Sequence, residues 1–261
     1  MMKFRALGER LNIAGWGLVV VLILAWQGLI ATGVLSLDYL PKPTEVAAAI
    51  GEIIGDGTLI TQLRHTLATT AAASVIAVGL GVVLGAVIGL IPLVAVLSGA
   101  SVDFLRSIPA VSLMPVVLLL VGATTQSEII VAVFAGVWPI LLSTVGGVQA
   151  IDGRMREVGQ VLHLSRWDRA RKILIPSAVP MILVGVRLAV VTCLVVVIIA
   201  EILINPEGIG WALSQAQKAL RPDLLFAYAV VTGLLGYLIN LALIIGVRAC
   251  MPGSQALRGR A

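Results

Sequence analysis

The chain is 261 residues long, 59% hydrophobic and only 12% charged, about half the charged share of an ordinary soluble domain. With a mean hydropathy of +1.08 there is too little polar surface to cover a water-exposed globule, which excludes a soluble enzyme and indicates a polytopic membrane protein. The two cysteines, Cys193 and Cys250, and the two histidines form neither a disulfide framework nor a metal-ligand spacing, so redox and metal chemistry are not expected.

An ionised side chain at the bilayer centre costs about 3 kcal/mol, so long gaps between charges mark the spans. The first gap runs from Leu11 to Leu37 behind the basic residues Lys3, Arg5 and Arg10. Its apolar part is too long for a signal peptide and lacks a small-x-small cleavage site, which predicts a retained helix. Asp38 to Arg64 reads as an external segment opened by a Pro41-Lys42-Pro43 turn. Within it Thr44, Glu45, Val46, Ala49, Ile50, Ile53 and Ile54 have the pattern of a capped amphipathic helix at the interface, with a short connector as the alternative. The next gap, His65 to Val102, is read as one span ending near Pro92. Gly79, Gly81, Gly85 and Gly89 give it small-xxx-small spacings that permit close helix packing.

Ser107 to Ser127 and Ile129 to Ile151 follow as uninterrupted spans, and Leu224 to Val247 closes the series. Between them, Ala178 to Leu203 is built from Val, Leu and Ile apart from Arg187 and Glu201. The expected fold is an all-α integral membrane protein with six transmembrane helices. On that count, thirteen of the eighteen Lys and Arg fall on the side of the termini and the Asp152–Lys172 loop, four fall on the other side, and Arg187 stays within a span. Basic loops remain in the cytoplasm. Both termini are therefore expected there, and the pI of 9.7 needs no nucleic-acid partner because topology and anionic lipid account for it.

The cytoplasmic loop, residues 152–176, reads as two short helices and a hinge. Ser165-Arg166-Trp167-Asp168 matches a capping box, with Ser165 as N-cap, and Pro176 stops the second helix before the membrane. Such a pair is either a docking surface or an interfacial hairpin.

Glu157-Val158-Gly159, His163 and Ile173-Leu174-Ile175-Pro176 resemble the EAA motif of ABC importer permeases. Ser177 to Pro180, Gly185-Val186-Arg187-Leu188, Ala200-Glu201, Arg106 to Ala110 and Leu113-Met114-Pro115 are similar to the nitrate, sulfonate and taurine branch. The resemblance covers about residues 63–248. Two departures stand out: Val158-Gly159 where Ala-Ala is usual, and His163 where the family has a hinge Gly that favours positive φ.

What the resemblance implies is a type I importer permease that docks a cytoplasmic ATPase through Glu157, Gly159, His163, Ser165, Trp167 and Pro176. The sequence has no G-x-x-x-x-G-K-[ST] run, so ATP and Mg are expected to be used by a separate subunit, and neither catalysis nor a bound cofactor or metal is expected here. The implied partners are two ATPase subunits, a second permease (another copy or a relative), a periplasmic or lipid-anchored solute-binding protein, and membrane lipid. The expected location is the bacterial inner membrane. The domain division is an N-terminal helix and connector at 1–62, a permease core at 63–250 and a cytoplasmic tail at 251–261. The implied substrate is a small polar anion such as a sulfonate, taurine or nitrate, with an aromatic or heterocyclic nutrient as the alternative.

Charged groups inside a span are costly and so are the first functional suspects. Arg187 and Glu201 lie 14 residues apart, nearly on one helical face but about 21 Å apart in height, so each needs its own partner. Arg187 either attracts an anion or serves the structure. Gln126, Ser143, Thr144, Gln149 and Asn240 complete the pathway candidates, with interhelical hydrogen bonding as their competing role. A secondary transporter would need a mirrored second half, and a membrane enzyme would need clustered His, Asp or Cys at one face. Neither pattern is present in the sequence.

Overall fold

The computed structural model describes residues 13–33, 37, 39–150, 168 and 175–250, and among them every regular element is helical. The chain divides into two compact units. Of the described residues, one unit takes those up to Ile60 together with Leu213–Val231, and the other takes those between Thr61 and Ala212 with those from Thr232 onward.

In the first unit, helix α1, Ile13–Ala31, is apolar on every side. Leu18, Leu22 and Leu24 are each 60% or more exposed, as suits a helix solvated by lipid. Helix α2, Pro43–Gly55, is the predicted amphipathic helix, with Val46, Ala49 and Ile53 buried. Its cap differs from the expected one: Lys42 is the N-cap, and Glu45 reaches back to accept the Lys42 N–H at 2.9 Å. Pro43 stands in the first turn, where its missing N–H costs nothing. Thr44 instead meets Gln27 of α1, its N–H donating to Gln27 Oε1 at 3.3 Å. At the other end Asp56 accepts the Thr58 N–H at 2.9 Å and the Thr58 hydroxyl at 2.6 Å, so the turn out of α2 also starts the next helix. Arg221 ties Glu52 of α2 to Asp223, at 3.2 and 2.6 Å.

The second unit is organised on helix α3, which runs Thr58–Leu90. Its end before Pro92 agrees with the expectation of one span there. Ile91 is extended (φ −114°, ψ 100°), as the residue before a proline prefers. Helix α4, Pro92–Ser107, follows, then a 3-10 turn at Ala110–Leu113 and the eight-residue helix α5, Met114–Val121. The predicted uninterrupted span from Ser107 to Ser127 is thus broken: α4 and the segment from Ala110 to Val121 meet at an 80° bend. Pro109 is the reason, since it has no N–H to continue α4 and holds Ile108 extended (φ −72°, ψ 120°).

Helices α6, Thr125–Gln149, and α7, Ile175–Leu203, form the core with α3. Glycines set the packing distance. A Cβ on Gly81 would lie 2.0 Å from Ile140 Cγ2, and one on Gly85 would lie 2.7 Å from the Leu141 carbonyl oxygen. Gly89 meets Val148 one further turn along. Gly79 faces open space, so three of the four glycines in the predicted pattern carry the contact. Across the other seam, Gly136 of α6 admits Cys193 of α7, and Gly185 of α7 admits Ser143 of α6. Helix α8, Gly208–Lys218, and helix α9, Pro222–Cys250, complete the described chain. Among the described residues four helices, α3, α6, α7 and α9, are long and apolar enough to cross a membrane. The bent pair makes a fifth if it is one span, and α1 is a shorter apolar helix.

Candidate functional site

The predicted coupling residues Glu157, Gly159, His163, Ser165 and Trp167 lie outside the described residues. Asp168, at the N3 position of the predicted capping box, is helical. Pro176 stands in the first turn of α7 and is exposed, a position where a proline fits the helix start.

The pathway candidates separate into different surroundings. Arg187 and Asn240 come together: Arg187 Nε donates to Asn240 Oδ1 at 2.8 Å, linking α7 to α9. Both line a cavity of about 1000 Å³. The α7 wall recurs at helical spacing through Leu183, Arg187, Val191, Leu194 and Ile198, and the α9 wall through Gly233, Gly236, Asn240 and Ile244. Gly233 has nothing within 4 Å of its Cβ position, so missing side chains help to open the groove. Among the described residues Arg187 is its only charged lining residue, amid mostly aliphatic walls with Thr192, Thr232, Tyr237 and Asn240 as polar points. An apolar concavity with a few convergent polar groups is the usual form of a small-molecule site.

Thr144 is buried and its hydroxyl donates to the Ile140 carbonyl oxygen of its own helix at 2.7 Å, while its β-carbon packs on Gly85. Ser143 is half-buried against Gly185, and Gln126 and Gln149 are exposed near the two ends of α6. None of these four lines the groove.

Glu201 belongs to a second constellation. It is 1% exposed, and its Oε1 accepts the Thr66 hydroxyl at 2.7 Å while its Oε2 accepts the Gly210 N–H at 2.8 Å. Thr66 Oγ1 accepts the Ile209 N–H at 3.0 Å, and Gln62 Oε1 accepts the Gly208 N–H at 2.6 Å. The first three N–H groups of α8, which no intrahelical carbonyl can satisfy, are thus capped by side chains of α3 and α7. Gly208 has φ +92°, and a Cβ there would overlap the Glu201 carboxylate. Both reasons require glycine.

Beside this cap sits His65 of α3. Its Nε2 lies 3.3 Å from each carboxylate oxygen of Glu128, and its Nδ1 lies 2.9 Å from Glu207 Oε2. Asn205 Nδ2 donates to Glu128 Oε1 and stands 3.4 Å from His65 Nε2. The Glu128 side chain is 0% exposed. Charge spacing alone places Glu128 in a loop between two spans and gives His65, Asn205 and Glu207 no role, whereas Glu128 stands in the first turn of α6. The Asn-Pro-Glu-Gly-Ile-Gly run at 205–210 was the available signal, because paired glycines beside acids mark backbone that a side chain approaches closely.

Comparison with known proteins gives one consistent result. The family model described as binding-protein-dependent transport system inner membrane component matches residues 78–253. The chain is 26% identical to the putative aliphatic sulfonates transport permease protein of Bacillus subtilis (strain 168), over 86% of this chain and 83% of that one. It is 30% identical to the nitrate import permease protein of Synechococcus elongatus, over 76% and 74%. A crystal form of the inward-facing MetNI methionine ABC transporter has a similar fold, with TM-score 0.63 and 22% identity, over 72% of this chain and 94% of that one.

Proposed function

This chain belongs to the family of binding-protein-dependent transport system inner membrane components, and on that premise we propose that it forms the translocation pathway for a small polar anion, of the kind its sulfonate and nitrate relatives are named for. The observation that carries the anion is Arg187: a guanidinium at the wall of a groove between two spanning helices whose other described lining residues are uncharged. Asn240 engages Nε alone, which leaves the terminal nitrogens for the planar, bidentate contact that sulfonate, carboxylate and nitrate oxygens accept.

The chain works as a pair, with a second copy or a related permease, on two ATPase subunits that bind ATP and Mg. A solute-binding protein delivers substrate at the outer face. Both termini and the 152–176 loop lie in the cytoplasm, and residues 38–64 and 205–223 lie outside. Glu157, Gly159, His163, Ser165 and Trp167 contact the ATPase. Pro176 joins that loop to α7, so movement of the loop acts on the helix that carries Arg187. Binding the substrate better in one of two states is what allows such movement to drive transport.

Proteoliposomes containing the permease, its ATPase and its binding protein test this reading. Labelled taurine, an alkanesulfonate or nitrate should accumulate only with ATP, and an aromatic nutrient should not. If none of the anions stimulates ATP hydrolysis or uptake, the anion assignment fails.

A further inference from the structure

We propose that His65, Glu128 and Glu201 form a binding site for a divalent transition-metal ion, of the zinc type, that clasps the ends of α3, α6 and α7. The proposal is separate from the transport reading and rests on three observations.

The first is the donor set. One imidazole and two carboxylates, each from a different helix, bring their ligand atoms within 4.8 Å of one another. Metal bonds of about 2.0–2.1 Å in a tetrahedral arrangement separate neighbouring ligand atoms by about 3.3 Å. His65 Nε2 stands 3.3 Å from both Glu128 oxygens, longer than the roughly 2.7–2.9 Å of a charge-assisted hydrogen bond. Glu201 spends one lone pair of each oxygen on Thr66 and Gly210 and keeps another on each for a metal ion.

The second is the orientation of the imidazole. Nδ1 faces Glu207 at 2.9 Å, and a metal-ligating histidine characteristically gives its other ring N–H to a carboxylate in this way. With the proton on Nδ1, Nε2 carries a lone pair directed at the Glu128 carboxylate. Two electron-rich groups at that distance need a positive charge between them.

The third is charge. Glu128 and Glu201 are fully buried, and among the described residues no Lys or Arg forms an ion pair with either. Buried charges are ordinarily paired or coordinate a metal. One imidazole balances at most one of the two carboxylates, whereas a divalent cation balances both.

The test uses the full chain purified with its ATPase on a histidine-free tag, stripped with EDTA, equilibrated with zinc chloride and passed through gel filtration. Elemental analysis should find one zinc per chain, and cobalt in its place should give the visible absorption of a low-symmetry site. His65→Ala and Glu128→Gln should abolish both signals while the ATPase still copurifies. Glu207→Gln should keep the site with affinity lowered about tenfold. A zinc-free wild type, or a His65→Ala chain that holds as much zinc as wild type, overturns the proposal. A zinc-free wild type whose melting temperature still falls on His65→Ala overturns it too, by identifying the bridging charge as a proton.

Discussion

The Glu201 carboxylate accepts the backbone N–H of Gly210 at 2.8 Å, so a side chain near the end of α7 caps the first turn of α8 nine residues later. This ties the short helix to the spanning one across the intervening loop, and it assigns a costly intramembrane acid a definite partner.

Gly210 should therefore be intolerant of any side chain. A Cβ there would lie 2.2 Å from the Ile198 carbonyl oxygen and 2.8 Å from Glu201 Cβ, and backbone cannot easily give way. Gly210→Ala is expected to cost at least about 1–3 kcal/mol, read as a lower melting temperature in detergent. An unchanged melt would show that α8 is not held by this contact.

The glycines of α3 make a paired prediction. Gly85→Ala should destabilise by about 1–3 kcal/mol because its Cβ would meet the Leu141 carbonyl oxygen and Thr144 Cβ, both at 2.7 Å. Gly79→Ala, with nothing within 4 Å, should stabilise by about 0.5–1 kcal/mol through helix propensity. Thermal melts of the two variants should shift in opposite directions.

Arg187→Gln should abolish most anion uptake while the complex still assembles and hydrolyses ATP. Asn240→Leu, which removes the acceptor at Arg187 Nε, should raise KM with a smaller effect on kcat, since the guanidinium remains but is no longer oriented. Loss of assembly in Arg187→Gln, in place of selective loss of transport, would give Arg187 a structural role.

Topology is open to cysteine labelling. In a background without Cys193 and Cys250, an impermeant maleimide applied to intact cells should modify Asp56→Cys and spare His163→Cys. The reverse pattern would invert the assigned orientation.

Asp56 makes a pH prediction. The Thr58 hydroxyl and N–H bonds hold its carboxyl below the usual carboxylate range. A lowered folded-state value means a stabilising contribution that is complete above the unfolded pKa of about 3.9 and is lost as pH falls through the lower folded value. Asp56→Ala should lower the melting temperature slightly at pH 7, and the difference from wild type should shrink toward pH 3.

Much of this molecule was legible from single-residue physics. The end of α3 before Pro92 followed from the missing N–H of proline, and α2 followed from the spacing of Val46, Ala49 and Ile53. The break at Pro109 was readable by the same rule, but charge spacing alone does not mark it, because an apolar helix pair with an 80° bend has no charge at the bend. Leu220 shows a different limit. It has φ +53° after α8, where the Arg221 N–H bonds to the Ala216 carbonyl oxygen, the helix-ending geometry usually given to glycine. Nothing in the residue type announces that conformation.

The sequence by itself determined that lipid replaces water around the chain, because 12% charged residues cannot cover its surface, and it ordered the apolar helices and set the resemblance to importer permeases. Only the tertiary structure decided which polar groups meet. His65, Glu128 and Glu201 are separated by 63 and 73 residues along the chain, and no periodicity within one helix specifies the neighbour on another. Arg187 finds Asn240, 53 residues away, for the same reason. Local spacing reports the face of a helix, whereas the partner of that face depends on how closely glycines let two backbones approach and on which buried charges must be satisfied.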